Sequence, residues 1–520
     1  MTDGAMQDFA LTLDQFLDHA ARWHPRKEVV TACDDGSTQR IGYEALRERA
    51  KRVSAVLAGM GIAQGDRVAT LAWNTQAHLE AWYAIMGMGA VCHTLNPRLT
   101  AEQLAWMARQ SEAAVLVVSA DLAPLARAIT AEAPALRHVL TIDGPAEIDE
   151  PLERAMANAD AGDVAWGGFP ETTPCGLCFT SGTTGAPKGV TYTHRANYLH
   201  TLRQLQADVT GITSRDVVLP VVPMFHANAW GLPFAAPATG AKLVLPGRHA
   251  DGASLARLIA EEGVTVAVGV PTVWLGLFDH LDESGVELPS LKRIMVGGAP
   301  MPHALMTRIE DRGVEVQTTW GMTELSPLGT ATPPDAMPRN PALSGRPAQG
   351  MDLLLTDHTG EPLTQQRGAE GHLWVRGASV VERYFGQDEP ATRGGWFDTG
   401  DLAAIDHDGN LQITGRSKDL IKSGGEWINP AEIEALVAAL PEVALAAVIG
   451  RADPKWGERP LLLVELREDT ALSDEALLAP LRGRVANWWV PDEVIRLDRI
   501  PLAATGKIDK LRLRTEYSRA

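Results

Sequence analysis

The chain has 520 residues, too many for one hydrophobic core, so at least two domains are expected. Its 45% hydrophobic and 22% charged residues are ordinary for a soluble globular protein, and its formal net charge of −18 excludes the broadly basic surface that a nucleic-acid or anionic-membrane partner requires. No apolar run is long enough to span a bilayer, and neither "MTDGAMQDFA" nor "YSRA" reads as a targeting signal, so a cytoplasmic location is expected.

From about residue 40 to 300, helical and strand patterns alternate. "YEALRERAKRVSAVLAGMG" (43–61) has helical spacing and ends in glycine. "DRVATLAWN" (66–74) reads as a strand, and "TAEQLAWMARQ" (100–110) as a helix capped by Thr100. "AAVLVVS" (113–119) and "RHVLTID" (137–143) are near-continuous apolar strands of the parallel-sheet kind.

The next stretch is "GLCFTSGTTGAPKGVTYTH" (176–194). An apolar strand enters, an alternating strand leaves, and between them lie small residues, hydroxyls and one lysine. Such a loop cannot fill a core. Its glycines can take φ > 0, its N–H groups and hydroxyls can cradle an anion, and Lys188 adds a point charge. A polyphosphate is the expected guest, ahead of an ordinary Gly/Thr-rich surface turn. A Walker A loop is excluded, because Pro187 and Gly189 stand where that motif needs glycine and a hydroxyl. The chain has four cysteines, of which Cys175 and Cys178 form a CxxC with no second pair to complete a zinc site; both are expected to serve as small hydrophobes.

Further strands follow at "DVVLPVVPMFH" (216–226), "KLVLPG" (242–247), "VTVAVGVP" (264–271) and "LKRIMVGGAP" (291–300). This is α/β organisation. After residue 340 the texture changes. "GMDLLLTD", "EGHLWVRG" and "GNLQITGR" are short strands separated by Gly and Asp turns, which predict a small β-rich unit. "DLIKSGGEWI" (419–428) reads as a hairpin turning at Gly424 and Gly425. "NPAEIEALVAAL" (429–440) reads as a helix capped by Asn429, with Pro430 at its first position and Glu432 completing a capping-box-like arrangement. The expected division is 1–417, a large α/β domain of stacked parallel sheets, and 418–520, a small mobile α+β domain.

Five motifs in order carry a resemblance: "TSGTTGAPKG", "TTWGMTE" (318–324), "WFDTGD" (396–401), "GRSKDLIKSGGEWI" (415–428) and "PLAATGK" (501–507). Over essentially its whole length the chain resembles the adenylate-forming superfamily of acyl-CoA synthetases, luciferases and adenylation domains. The resemblance implies that ATP and Mg²⁺ convert a carboxylic acid to acyl-AMP and pyrophosphate, and that coenzyme A then displaces AMP. Carried over by position, Thr180, Ser181, Gly182, Thr183, Thr184, Gly185 and Lys188 hold the β- and γ-phosphates. Thr184 and Glu324 hold Mg²⁺, and Thr323 contacts the α-phosphate. Gly298, Ala299, Pro300, Thr318, Thr319, Trp320, Gly321 and Met322 line the adenine. Asp401 grips the ribose hydroxyls, with Ile413 and Arg416 beside it. Lys507 resembles the catalytic lysine and Lys418 the hinge. Lys422, Ser423, Gly424, Gly425, Glu426 and Trp427 match the segment that lines the pantetheine tunnel, with Lys422 a candidate for the thioester step. His226 resembles a gate of the acyl pocket, whose walls are expected from Trp230, Val268, Gly269, Val270, Pro271, Gly298, Gly321 and Met322.

These types suit the chemistry on their own account: attack on the α-phosphorus gathers negative charge, which a lysine and Mg²⁺ relieve. Taken singly, Asp401 could be turn chemistry, Glu324 a solvated carboxylate, Lys507 a surface lysine and His226 a satisfied core residue. Around "VPMFHANAWGLPF" the chain resembles bacterial medium-chain fatty-acyl and 3-methylthiopropionyl-CoA ligases. The expected activity is an AMP-forming acyl-CoA ligase for a small or medium apolar monocarboxylate. The alternatives are a stand-alone adenylation enzyme loading a carrier protein, an aryl or phenylpropanoid acid ligase, and a non-catalytic nucleotide-binding regulator. The intact lysine and carboxylates speak against the last. Partners are a small-molecule acid, no nucleic acid and no membrane, with a homodimer left open.

Overall fold

The computed structural model describes residues 3–144, 150–160, 164–180, 187–337, 339–424, 426–467, 470–503 and 506–518. Among them, a large N-terminal α/β domain is followed by a smaller C-terminal one. Two stacks of mainly parallel strands form the large part. The first is seven-stranded, in the order Glu150–Pro151, His138–Ile142, Val115–Ser119, Arg67–Leu71, Val91–Thr94, Pro174–Phe179 and Gly189–Thr193. All its pairs are parallel except the last, which is the pair flanking the Gly/Thr loop. The second is nine-stranded. Its interior runs parallel from Glu315–Gly321 through Arg293–Val296, Val266–Gly269, Val217–Pro220 and Lys242–Leu245 to Glu28–Ala32. Antiparallel strands close both of its edges.

The α/β pattern begins earlier than the sequence suggested. The helix Asp14–Trp23 and the strand Glu28–Ala32 precede residue 40, and the strand pairs in parallel with Lys242–Leu245. It also pairs in antiparallel register with Thr38–Gly42, and its place inside the nine-stranded sheet comes from the parallel partner more than 200 residues later. The predicted helix appears as Tyr43–Gly59, and Thr100 caps Ala101–Ser111 through a full capping box with Gln103.

The β-rich unit is a five-stranded antiparallel sheet in which Ala369–Gly377 pairs with Trp396–Ile405, which in turn pairs with Leu411–Arg416. It is not a separate body: Leu355, Leu373, Val375 and Phe397 belong to the same core as Leu79, Trp82 and Val218. Past Arg416 a short 3₁₀ turn, Ser417–Asp419, leads to a further sheet with its own core around Ile433, Val448 and Leu462. There the hairpin Ile421–Ser423 and Glu426–Ile428 turns with Gly424 at φ 59°, while Gly425 lies outside the described residues. The helix Pro430–Val437 is capped by Asn429, whose Oδ1 accepts from Ala431 N at 3.2 Å. Glu432 comes only within 3.5 Å of the Asn429 side chain, so the box-like arrangement is loose.

Cys92, Cys175 and Cys178 are buried, and burial pushes each thiol up, away from the reactive thiolate. Among the described residues no helix is long and apolar enough to cross a membrane.

The helix Pro271–Ser284 shows how tightly the scaffold is packed. Its Trp274 is fully buried, and a Cβ on Gly269 would come within 2.9 Å of the indole. Trp274→Ala should cost ~3–5 kcal/mol and lower the thermal midpoint of the large domain. Trp274→Phe, which also removes an indole N–H that has no partner among the described residues, should cost clearly less.

Candidate active site

Two sheets converge where the strand Glu315–Gly321 ends. A register shift at Trp320 and Gly321 breaks the ladder, and the chain doubles back so sharply that a Cβ on Gly321 would collide with the Pro327 carbonyl. The 3₁₀ turn Thr323–Leu325 follows, and it is fastened to the strand after the Gly/Thr loop by Tyr192, whose hydroxyl donates to the Thr323 carbonyl at 2.9 Å.

Glu324 is buried in this turn. The Tyr384 hydroxyl donates to its Oε1 at 3.0 Å, and it makes no ion pair with a described residue. Burial pushes its carboxyl up; Arg416 and Lys188 pull the other way. Lys188 stands 4.7 Å above the Tyr384 ring. A desolvated carboxylate lacking a bonded cation suits Mg²⁺ arriving with a polyphosphate, since such an ion keeps most of its ligands from water and phosphate.

Asp401 is more deeply enclosed, with 1% exposure. Trp320 Nε1 donates to its Oδ2 at 2.9 Å. Arg416 sits opposite it in register, with Nε 2.6 Å from Oδ1. That approach is off the line of a hydrogen bond, so Oδ1 remains an unfilled acceptor. Burial pushes the carboxyl up, and Arg416 opposes this. A carboxylate with an open lone pair in a dry wall fits a ligand offering hydroxyl donors, such as a ribose diol.

Lys507 enters from the C-terminal domain. Its Cε lies 3.5 Å from where a Gly298 Cβ would be, and the neighbouring Gly506 carbonyl accepts from Thr272 Oγ1 at 3.4 Å. Burial pushes its amine down to about 8; Arg416 and Lys418 add to the effect, while Asp401 and Glu324 resist it. Lys188, Arg416, Lys418 and Lys507 thus act on one space, with Glu324 and Asp401 opposing them and Asp419 acting on Lys418. Cations outnumber carboxylates among these described groups, which makes a positive pocket in an acidic chain and suits an anion.

His226 faces the same space. Burial first, then Lys507 and Arg98, push its imidazole down to about 4, so it is neutral near pH 7. From Ala227 to Gly231 the backbone runs left-handed, with φ of 44°, 54°, 45°, 55° and 78°. Four of those residues are not glycine, and each such step costs about 1–2 kcal/mol. The turn delivers the Trp230 indole beside the loop at Gly297 and Gly298. A Cβ on Gly297 would come within 2.9 Å of the ring, and one on Gly298 would stand 3.5 Å from Val270 and 3.8 Å from Trp230.

The structure therefore brings together Lys188, His226, Trp230, Val270, Gly298, Trp320, Thr323, Glu324, Asp401, Arg416, Lys418 and Lys507. Thr318 and Thr319 are near, yet their hydroxyls already donate to Leu343 O at 2.7 Å and Val296 O at 3.1 Å. Thr180 closes the base of the loop through its N–H to Lys188 O at 2.9 Å. Ser181, Gly182, Thr183, Thr184 and Gly185 lie outside the described residues. Lys422, Gly424, Glu426 and Trp427 do not join the cluster. They are exposed, with Lys422 Nζ 5.4 Å over the Trp427 ring and Lys422 N bonded to Glu458. Sequence reasoning missed Tyr384 and Tyr192. Tyr384 is a lone tyrosine in a stretch with no motif of its own, and Tyr192, in the strand leaving the Gly/Thr loop, reads only as one of its alternating residues.

A family model described as AMP-binding enzyme matches residues 17–385, and one described as AMP-binding enzyme C-terminal domain matches residues 432–507. A 3-methylmercaptopropionyl-CoA ligase of Ruegeria lacuscaerulensis is 42% identical, with 99% of each chain covered. A medium-chain-fatty-acid–CoA ligase of Ectopseudomonas oleovorans is 40% identical over 99% of this chain and 97% of its own. The o-succinylbenzoate CoA synthetase of Bacillus subtilis, solved with an acyl-adenylate intermediate, superposes with a TM-score of 0.82 at 26% identity, covering 96% of this chain and 97% of that one. The chain belongs to the AMP-binding enzyme family.

Proposed function

We propose that the protein is an AMP-forming acyl-CoA ligase acting on small or medium apolar monocarboxylic acids. The observation that carries this reading is the enclosure of Lys507 among Asp401, Glu324 and Arg416, with Val270 and the Trp230 ring beside it at Gly298; Gly269, Gly321 and Met322 are proposed to complete the acyl wall. The residues proposed for that wall are uncharged, and His226, on which Lys507 and Arg98 act, is neutral. The names of the relatives at 40–42% identity support the same activity.

In the first half-reaction an oxygen of the acid attacks the α-phosphorus of ATP, and the bond to pyrophosphate breaks. Lys507 stands where it can bridge the acid and the α-phosphate, and Thr323 and Lys188 border the path of the phosphates. Asp401 orients the nucleotide through its ribose. Glu324 would help to hold Mg²⁺, which would supply charge neutralisation of the polyphosphate. In the second half-reaction the CoA thiol attacks the acyl carbon and AMP leaves.

Lys507 and the Lys422–Trp427 hairpin sit on one C-terminal unit, and with Lys507 in the pocket the hairpin faces solvent. A division at 417/418, with rotation about Lys418, lets that unit serve each half-reaction in turn. Incubating the protein with ATP, Mg²⁺, CoA and a panel of acids tests the reading: AMP and acyl-CoA should form with apolar acids, and ATP consumption without thioester in every case would refute it.

Lys507→Ala should lower acyl-AMP formation by ~10²–10³, the usual effect of deleting one charge stabiliser, while supplied acyl-AMP and CoA still give thioester. Equal loss in both assays would remove Lys507 from this role. The depressed amine sets a pH limit. Lys507 works as a cation, so kcat/KM for ATP in pyrophosphate exchange should fall as pH rises through about 8, the free-enzyme value. Lys507→Arg should shift that fall to higher pH. Trp230→Ala should move the preferred acid to longer chains and weaken short ones, each lost methylene contact being ~0.8 kcal/mol. An unchanged ranking over an acid series would show that the indole does not bound the pocket.

A further inference from the structure

The left-handed turn that carries Trp230 is braced from outside by one turn of a neighbouring helix. In His194–Gln204, residues His200, Arg203 and Gln204 share a face, being three and four positions apart. All three are buried. Gln204 Nε2 donates to the Trp230 carbonyl at 3.0 Å. The helix lies directly on the turn: a Cβ on Gly231 would come within 2.8 Å of the His200 ring and 2.9 Å of Gln204 Oε1. Only glycine, which also meets the φ of 78°, allows that approach.

The same face grips the other side of the site. His200 Nε2 accepts from Leu328 N at 3.1 Å, and the Arg203 guanidinium donates to Leu328 O at 2.6 Å and to Ser379 Oγ at 3.0 Å. The Gln204 carbonyl accepts from both N and Oγ1 of Thr210, which fixes the helix end. Gln204 is thus a rigid post, and its amide reaches the one residue of the turn whose ring enters the pocket.

We propose that Gln204 is a positioning residue for acid selection: by holding the Trp230 main chain in its left-handed conformation, it fixes the indole against Gly297 and Gly298 and so sets which acyl chains fit. This rests on the acyl-CoA ligase reading. Gln204 touches neither the nucleotide cluster nor Lys507 in its hydrogen bonds, so its effect should fall on the acid alone. Without the bond the turn is free to relax toward right-handed backbone, and the ring loses its fixed place.

The test is Gln204→Met, which keeps length and removes the donor. AMP formation is measured for straight-chain acids from acetate to dodecanoate, together with KM for ATP and the melting midpoint. Discrimination between the best and the longest acids should shrink about tenfold, through KM for the acid, while KM for ATP stays within about twofold. A lowered melting point with the native ranking of acids would make Gln204 structural only and overturn the proposal. If Gln204→Met does not fold, Gln204→Asn, which withdraws the amide by one methylene, is read in the same way. Failure of the native protein to turn over any acid would instead defeat the ligase reading, and this proposal with it.

Discussion

The buried carboxylate of Asp401 ties three parts of the molecule together. It belongs to the β-rich sheet, takes an indole N–H from Trp320 on the nine-stranded sheet, and helps to hold the charge of Lys507 from the C-terminal domain. A lone carboxylate at that depth would be protonated or expelled. Arg416, opposite it in the ladder, and the Trp320 donor make its burial tolerable. The pocket's excess of cations and the depressed amine of Lys507 follow from the same crowding of charge in a dry space.

The scaffold supplies this crowding through strand ends. The parallel strands around Val266–Gly269, Arg293–Val296 and Glu315–Gly321 deliver their carboxyl ends to one edge, where open α/β sheets bind ligands. At that edge Gly297 and Gly321 let neighbouring segments approach where a Cβ would collide, and Gly298 lies beside Lys507, Val270 and Trp230. The seven-stranded sheet meets it with Gly189–Thr193, and the Tyr192 bond to Thr323 locks the two together. The site is a seam between sheets, which explains why its residues are spread from 180 to 507.

Among the described residues the longest run of left-handed backbone lies beside the seam; Glu112, Asp143, Ser326 and Asp335 are isolated cases. The turn from Ala227 to Gly231 holds a conformation that its residues avoid in isolation, and it is kept there by packing and by Gln204. Such a turn places a large ring more firmly than a flexible loop would. A pocket wall fixed in this way can reject an acid by shape, whereas a mobile one would adapt to it.

The sequence by itself determined the parts whose chemistry is written in contiguous residues. The Gly/Thr loop between strands, the Thr100 and Asn429 caps, the Gly424 turn, and the ordered motifs holding Glu324, Asp401, Arg416 and Lys507 all have local causes: φ freedom, capping donors, or a charge needed next to a turn. Only the tertiary structure decided the rest. The strand Glu28–Ala32 pairs locally with Thr38–Gly42, but it joins the nine-stranded sheet only because Lys242–Leu245 lies on its other side. Tyr384 matters because it reaches Glu324 from 60 residues away. In "HANAWG" only Asn228 and Gly231 tolerate left-handed backbone, so Ala227, Ala229 and Trp230 are held in it by the tertiary packing, of which the helix on Gly231 is part. The depressed amine of Lys507 likewise comes from burial and from Arg416, about 90 positions away, with the distant Asp401 resisting it. Local backbone preference is encoded residue by residue, but desolvation and strain arise only when distant segments close on one another.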